Sequence, residues 1–305
     1  MAGKMTEGRV VAITGAGRGL GREYALLLAR EGAKVLVNDI GVRRDGVPES
    51  ADAAQEVVDE IKARGGAAAA HTADISTADG AKSLVDQAVD TWGKIDVVVN
   101  NAGILRDRMV VNMTEDDWDS VLRVHLKSTF LTTNYVANHW REMVKAEKPV
   151  DARIINTTSS SGIYGAVGQA NYGAAKAGIA AFTIITAREL QRYGITVNAI
   201  SPTALTRMTE DVAVAKSPEA EAGLIDPRWV APICVWLASE QSKDVTGKVF
   251  ASSGRFLAVA EGWVRGPSAD APAEPDEVDA IVRPLLEKAR GNSTPRGDTV
   301  GEGEI

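Results

Sequence analysis

The chain has 305 residues and a mass of 32.2 kDa, room for one large α/β domain or two smaller ones. Its 34 Lys+Arg against 41 Asp+Glu give a net charge of −7 and a pI near 5.2, which disfavours nucleic acid and anionic membrane as partners, since both need a basic face. One cysteine, Cys234, can form neither an internal disulfide nor a structural zinc site, so a reducing compartment and no metal are expected; the absence of an apolar run of ~18 residues, of a secretory leader and of a peroxisomal C-terminus makes that compartment the cytoplasm.

Short β-branched runs alternate with helix-period segments from the start of the chain. Val10–Thr14 reads as a strand, and Leu20–Glu31 as the helix after it. Between them Thr14-Gly15-Ala16-Gly17-Arg18-Gly19-Leu20-Gly21 fits T-G-x-x-x-G-x-G, although Leu20 breaks a strict G-x-G-x-x-G. Such a turn needs residues without a Cβ and leaves amides at a helix N-terminus for a pyrophosphate; taken alone, it is also a plain βα turn. The second strand, Lys34–Asn38, ends at Asp39, 24 residues past Gly15, where a carboxylate accepts hydrogen bonds from adenine-ribose hydroxyls. The same carboxylate repels a 2′-phosphate, which favours NAD over NADP; Arg18, Arg43 and Arg44 are the opposing signal.

The helix Ser50–Arg64, the strand Ala67–Thr72, the helix Ala78–Trp92 and the strand Asp96–Asn100 follow. Glu115–Lys145 reads as one long helix opened by a capping box, Thr114 with Asp117. After the strand Arg153–Thr157, Ser159 falls on the edge where α/β sheets gather ligands, although a turn hydroxyl explains it equally. In the helix Tyr172–Arg192, Tyr172 and Lys176 are four residues apart and share a face. A nearby ammonium favours the phenolate, lowering the tyrosine pKa and making Tyr172 a candidate general acid/base; by itself the pair is also a chance surface pattern. The strand Thr196–Ile200, the helix Pro227–Ala238 and the strand Lys248–Ala251 complete the series. Several strands are apolar almost throughout, as strands covered on both faces are, so the alternation predicts a doubly wound, mainly parallel α/β sheet with helices on each side.

Residues 264–305 hold 5 of the 11 prolines. Val278, Ile281, Val282, Leu285, Leu286 and Ala289 form one helical stripe interrupted by Pro284, read as a kinked amphipathic helix laid back on the body, across the substrate mouth, or on a neighbouring subunit. The expected division is one α/β domain over 1–263 with an extension over 264–305.

In combination, Thr14-Gly-x-x-x-Gly-x-Gly, Asn100-Asn101-Ala102-Gly103, a serine thirteen residues before the tyrosine and Tyr172-x-x-x-Lys176 resemble the short-chain dehydrogenase/reductase family, in the family's order over residues 9 to about 262. The resemblance implies a single Rossmann-like domain with seven parallel strands, commonly a homo-oligomer (dimer or tetramer). Asn38-Asp39-Ile-Gly, Asn101-Ala-Gly-Ile-Leu-Arg-Asp-Arg108, Arg123-Val-His-Leu126, Ser161-Gly-Ile-Tyr-Gly165, Gly168-Gln-Ala-Asn-Tyr172 and Gly262-Trp263 look like its (3R)-hydroxyacyl-CoA dehydrogenase branch, the dehydrogenase part of peroxisomal multifunctional enzyme type 2, here in stand-alone form.

Carried over position by position, the resemblance makes Tyr172 the proton acceptor, Lys176 the holder of the ribose hydroxyls, and Ser159 the hydrogen-bond partner of the substrate oxygen. The dinucleotide cleft would take Gly15, Arg18, Gly19, Leu20, Gly21 and Asp39 from the first half of the sheet, and Asn101, Ala102 and Gly103 from the loop after the fourth strand. Asp74 and Ile75 would contact adenine, and Pro202, Ala204 and Thr206 the carboxamide. Two positions depart from the family: His125 stands where an asparagine usually completes a proton relay, and Pro202-Thr203 where Pro-Gly is common. An imidazole can relay protons, and a packed, hydrogen-bonded histidine is the other reading.

The substrate expected is a small molecule, an acyl-CoA thioester or a steroid. Arg106 and Arg108 would meet coenzyme A phosphates or be balanced by Asp107, and Met208–Pro218 would form a lid with Met208, Val212, Val214 and Ala215. The leading function is NAD-dependent oxidation of a 3-hydroxyacyl-CoA. Its alternatives are a hydroxysteroid dehydrogenase, a 3-oxoacyl-carrier-protein reductase, and a non-catalytic NAD-binding sensor or scaffold.

Overall fold

A computed structural model describes residues 4–43, 45–47, 52–205, 217–271, 273–293 and 297. Seven strands run parallel: β1 (Val10–Thr14), β2 (Lys34–Asn38), β3 (Ala67–His71), β4 (Val97–Asn100), β5 (Ala152–Thr157), β6 (Ile195–Pro202) and β7 (Val249–Ser252). An eighth, β8 (Leu257–Ala260), returns antiparallel along β7, so the sheet has eight strands rather than the expected seven, in the order β3-β2-β1-β4-β5-β6-β7-β8. The tight turn after β7, closed by the Ser253 amide on the Phe256 carbonyl, brings an apolar pentamer back beside its own strand. The order reverses between β1 and β4, which opens a crevice at the carboxyl ends of the strands.

Alternation along each strand divides the core in two. Val11, Ile13, Val35, Val37, Val97 and Val99 face the layer of α1 (Gly19–Arg30), α2 (Ala53–Ala63) and α9 (Ala231–Ala238), where Tyr24, Leu28, Ile61 and Leu237 are buried. Val10, Ala12, Leu36 and Val98 face the opposite layer, with Leu84 of α3 (Ala78–Trp92) and Val136 and Trp140 of α5 (Ser128–Lys145). Both faces are covered, which is why these strands read as continuous apolar runs.

The expected helix 115–145 is interrupted. α4 (Glu115–Leu122) opens on the capping box of Thr114 and Asp117, but Arg123–Lys127 forms a π turn before α5 begins. The wider turn re-registers the two helices and sends His125 inward; such bulges cluster at functional sites. α6 (Ser160–Ile163), α7 (Ala170–Leu190) and α8 (Pro218–Glu221) lie between β5 and α9. The tail forms α10 (Val278–Lys288) with Pro284 inside it. None of its residues is buried, and Val278, Val282 and Leu286 are exposed, so the stripe is not laid back on this chain's own core as one reading held.

Candidate active site

A cavity of about 1250 Å³ fills the crevice, more than the ~300–1,000 Å³ usual for one drug-sized ligand. Its β1 side is set by a close approach of two turns. Gly15 has φ +63°, and a Cβ on it would meet Ala102 Cα at 2.7 Å, so only glycine fits. Asn101 Nδ2 donates to the Thr14 and Gly15 carbonyls at 3.1 and 3.0 Å, and the Asn101 and Ala102 amides donate to Thr14 Oγ1 at 3.0 and 3.1 Å. The N-terminus of α1 has no side-chain cap at Arg18, and Gly15, Arg18, Gly19 and Leu20 line the cavity, which leaves helix-start amides and the positive dipole end for an anionic group. Gly21 is buried behind this turn, off the cavity wall.

At the end of β2, Asp39 Oδ2 accepts from the Gly17 amide at 2.9 Å and Oδ1 from the Gly41 amide at 2.8 Å, which fixes a carboxylate at the cavity edge. Asp74 and Ile75 also line the cavity; Asp74 Oδ1 accepts from the Ser76 amide at 2.9 Å, and its other oxygen faces Arg123 at 3.5 Å. Pro202 and Ala204 form the wall after β6. Thr203 needs no left-handed backbone, because Glu147 is the only non-glycine with positive φ among the described residues; the Thr203 amide donates to the Ser252 carbonyl at 2.9 Å. Arg44, Thr206 and the lid residues Met208, Val212, Val214 and Ala215 lie outside the described residues.

The other wall brings Ser159, Tyr172, Lys176 and His125 together. Tyr172 and Lys176 occupy the first turns of α7, with Nζ 5.5 Å from the tyrosine ring centroid. Lys176 is 3% exposed and donates to the Thr157 carbonyl at 2.6 Å. Ser159 N-caps α6, its Oγ accepting from the Ser161 amide at 3.2 Å, which leaves its proton to donate elsewhere. His125 packs edge-on against Tyr172, centroids 5.2 Å apart at 84°. Its Nε2 lies 2.8 Å from the Ile104 carbonyl oxygen and 3.1 Å from the Ile104 amide, and its Nδ1 is buried with no hydrogen-bond partner among the described residues. A Cβ at Gly103 would sit 2.2 Å from His125 Cε1, so that glycine makes room for the ring.

Burial dominates the electrostatics. It pushes Lys176 down to about 7, and it pushes His125 down to about 3 with help from the Lys176 charge, so the imidazole is neutral near pH 7. Tyr172 moves opposite to the expectation: desolvation of the phenol raises it to about 12, the Ser159 hydroxyl pulls it down, and the Asp107 carboxylate pushes it up. Burial leaves Lys176 itself close to half-charged near neutrality. Arg106 and Arg108 are engaged by the acidic start of α4: Arg106 pairs with Asp116, and Arg108 lies 3.7 Å from Asp117.

Sequence reasoning gave no task to Ser161, Gln169 or Asn171, and gave Asp107 only the balancing of Arg106 and Arg108. Asn171 is wholly buried; its Nδ2 donates to the Arg106 and Asp117 carbonyls, both at 3.0 Å, and its Oδ1 accepts from the Tyr172 amide at 2.8 Å. Its position beside Tyr172 was the available signal.

Fold and site together define a dehydrogenase built on a dinucleotide-binding sheet. A family model described as short chain dehydrogenase matches residues 9–217; the chain belongs to this family, an oxidoreductase acting on CH–OH groups. It is 44% identical over 288 residues to the hydroxyacyl-CoA dehydrogenase ChsB1 of Mycobacterium tuberculosis, covering 90% of this chain and 88% of that one. It is 42% identical over 258 residues to the peroxisomal multifunctional enzyme type 2 of Mus musculus, covering 85% of this chain and 32% of that protein. A solved structure of a short chain dehydrogenase from Mycobacterium avium aligns with a TM-score of 0.85 and 49% identity, covering 94% of this chain and 98% of that one.

Proposed function

We propose that the protein is an NAD-dependent dehydrogenase that interconverts a (3R)-3-hydroxyacyl-CoA and the corresponding 3-oxoacyl-CoA. The observation that carries this reading is the convergence of Tyr172, Ser159 and a buried Lys176 on one cavity whose far end holds Asp39 and an uncapped helix start. That donor set suits a nicotinamide dinucleotide: amides for the pyrophosphate, a fixed carboxylate for ribose hydroxyls, and a buried ammonium for the second ribose. Gly15, Arg18, Gly19, Leu20, Asp39, Asp74, Ile75, Asn101, Ala102, Gly103, Pro202 and Ala204 would hold it, Gly21 acting from behind the turn. When bound, the dinucleotide supplies the hydride acceptor, and the protein supplies orientation and charge placement.

As the phenolate, Tyr172 takes the proton of the C3 hydroxyl at its Oη, and Ser159 donates to the C3 oxygen as that oxygen gains carbonyl character. Lys176 holds ribose hydroxyls and steadies the phenolate once Tyr172 has lost its proton. Neutral His125, packed edge-on against Tyr172, is the candidate relay beside the proton acceptor. Asp39 disfavours a 2′-phosphate, which supports NAD over NADP. The hydroxyacyl-CoA substrate rests on the relative of like length in Mycobacterium tuberculosis. Exposed Phe130, Ile185 and Trp263 support a homo-oligomer, a dimer or tetramer, and the cytoplasm is the proposed site of action.

The test incubates the full chain with NAD+ or NADP+ and a series of (3R)-3-hydroxyacyl-CoA esters from short to long chains, following absorbance of the reduced nicotinamide. Turnover with NAD+ well above NADP+ is expected. Silence across the series, with turnover of a free steroid alcohol, overturns the substrate assignment.

A further inference from the structure

Three side chains with no task in the reaction connect into a hydrogen-bonded line that ends on Ser159. Gln169 Nε2 donates to Asp107 Oδ2 at 2.8 Å. Ser161 Oγ donates to Gln169 Oε1 at 2.7 Å, and the Ser161 amide donates to Ser159 Oγ at 3.2 Å. The line crosses three segments: the loop after β4, the short α6 turn, and the residue that opens α7. The Arg108 amide on the Gly168 carbonyl, 2.8 Å, holds the first and last of these side by side.

Two features mark the line as more than turn chemistry. Gln169 stands at the N-cap of α7, yet its side chain makes no cap bond and reaches across the cavity wall instead. The polarity of the side-chain bonds from Asp107 to Ser161 is also fixed from one end. An ionised carboxylate only accepts, so Asp107 makes Gln169 present its NH2 to it and its carbonyl oxygen to Ser161. Ser161 must then donate its hydroxyl proton, while its amide occupies one lone pair of Ser159 Oγ. The Ser159 proton is left to point at the reacting oxygen.

We propose that Gln169 and Asp107 are positioning residues for Ser159, locking the α6 turn so that the serine hydroxyl stays aimed at the substrate. The proposal rests on the role of Ser159 given above. Three variants test it: Gln169→Glu, Asp107→Asn, and the two combined. Gln169→Glu sets two carboxylates against each other and breaks the line. In the double variant the new amide at 107 donates to the new carboxylate at 169, which still accepts from Ser161, so the polarity is rebuilt. With NAD+ and (3R)-3-hydroxydecanoyl-CoA, Gln169→Glu should lose about 30-fold in kcat with KM for NAD+ unchanged, and the double variant should return to within about threefold of the parent. Amide hydrogen exchange over residues 159–164 should be about tenfold faster in Gln169→Glu and restored in the double variant. A double variant no better than Gln169→Glu in exchange overturns the line, as does parent-like exchange in Gln169→Glu. A parent inactive on this thioester retires the substrate reading alone, because the exchange measurement needs no substrate and still decides the line.

Discussion

The two ends of the sheet each bury a cation, and they treat it differently. At the amino end, Arg153 is 1% exposed and is met by Asp151 at 2.6 Å, the Ser239 carbonyl at 3.3 Å and the Ala152 carbonyl at 3.1 Å. Burial pushes that guanidinium down, and the Asp151 carboxylate pushes it back up. At the carboxyl end, Lys176 is 3% exposed and donates to the Thr157 carbonyl at 2.6 Å, and burial pushes it down to about 7. A buried cation with a counter-charge is architecture; one held without it carries a desolvation cost that a ligand can relieve. The uncompensated cation supports the proposed active site at the carboxyl end of the sheet independently of any motif.

The largest effect that tests this belongs to Tyr172. Tyr172→Phe keeps the ring against His125 and removes only the oxygen, so turnover should fall about 10³-fold while calorimetric affinity for NAD+ stays at the parent value. Equal rates in variant and parent would remove Tyr172 from the reaction.

Next come the two cations themselves, which should respond with opposite sign. Lys176 binds its proton in the unfolded chain up to its ordinary 10.5 but in the folded chain only up to about 7, so the parent gains stability as pH rises through that window. Below it both states are charged, and the folded state bears the whole desolvation cost. Lys176→Met removes that cost and forfeits the bond to the Thr157 carbonyl, for a net gain of about 2 kcal/mol at pH 6 that shrinks towards pH 10. Arg153→Ala, by contrast, should lose about 3 kcal/mol at every pH from ~6 to ~10, because arginine stays charged throughout. Urea unfolding at both pH values reads this; a Lys176→Met difference that is flat with pH erases the contrast.

Much of this carboxyl end can be read from the chain, and the amino end hardly at all. β1, β2 and α3 fall on their expected bounds because a periodic apolar pattern is local information. Tyr172, Lys176 and Ser159 stand out as a spaced set, and the cavity brings them together. The π turn at His125 escapes, since one extra residue in a helical period leaves the amphipathic pattern nearly intact. β8 escapes because Leu257 and Val259 are exposed and carry no core pattern. The direction of the Tyr172 shift depends on burial, a property of the assembled fold, and the Gln169–Asp107 bond spans 62 residues without any periodic trace.

His125 sharpens the comparison at lower cost. It titrates at about 3 when folded and near 6.5 when unfolded, so it adds a stability loss as pH falls from ~6.5 towards 3 and contributes none above that range. His125→Asn should soften that acid loss by about 1 kcal/mol and lower kcat by less than tenfold, while a kcat/KM limb near 7 survives because it belongs to Lys176. Disappearance of that limb in His125→Asn would assign it to the histidine instead.

The smallest effect on stability is expected from the tail, which buries no residue of α10 and leaves Leu286 64% exposed. Removing everything after Trp263 should shift Tm by less than about 2 °C, because none of the described tail residues is buried in the core. Its effect should fall on binding and assembly. A Cβ at Gly297 would lie 3.5 Å from Tyr164 Oη, and Gly297 lines the cavity, while the apolar stripe of α10 stays open to a second copy of the chain. Truncation should therefore change KM for the acyl substrate, oligomer size by sedimentation, or both. A truncated chain with parent KM and the parent number of subunits makes the tail a passive appendage and confines the working surface to the carboxyl end of the sheet.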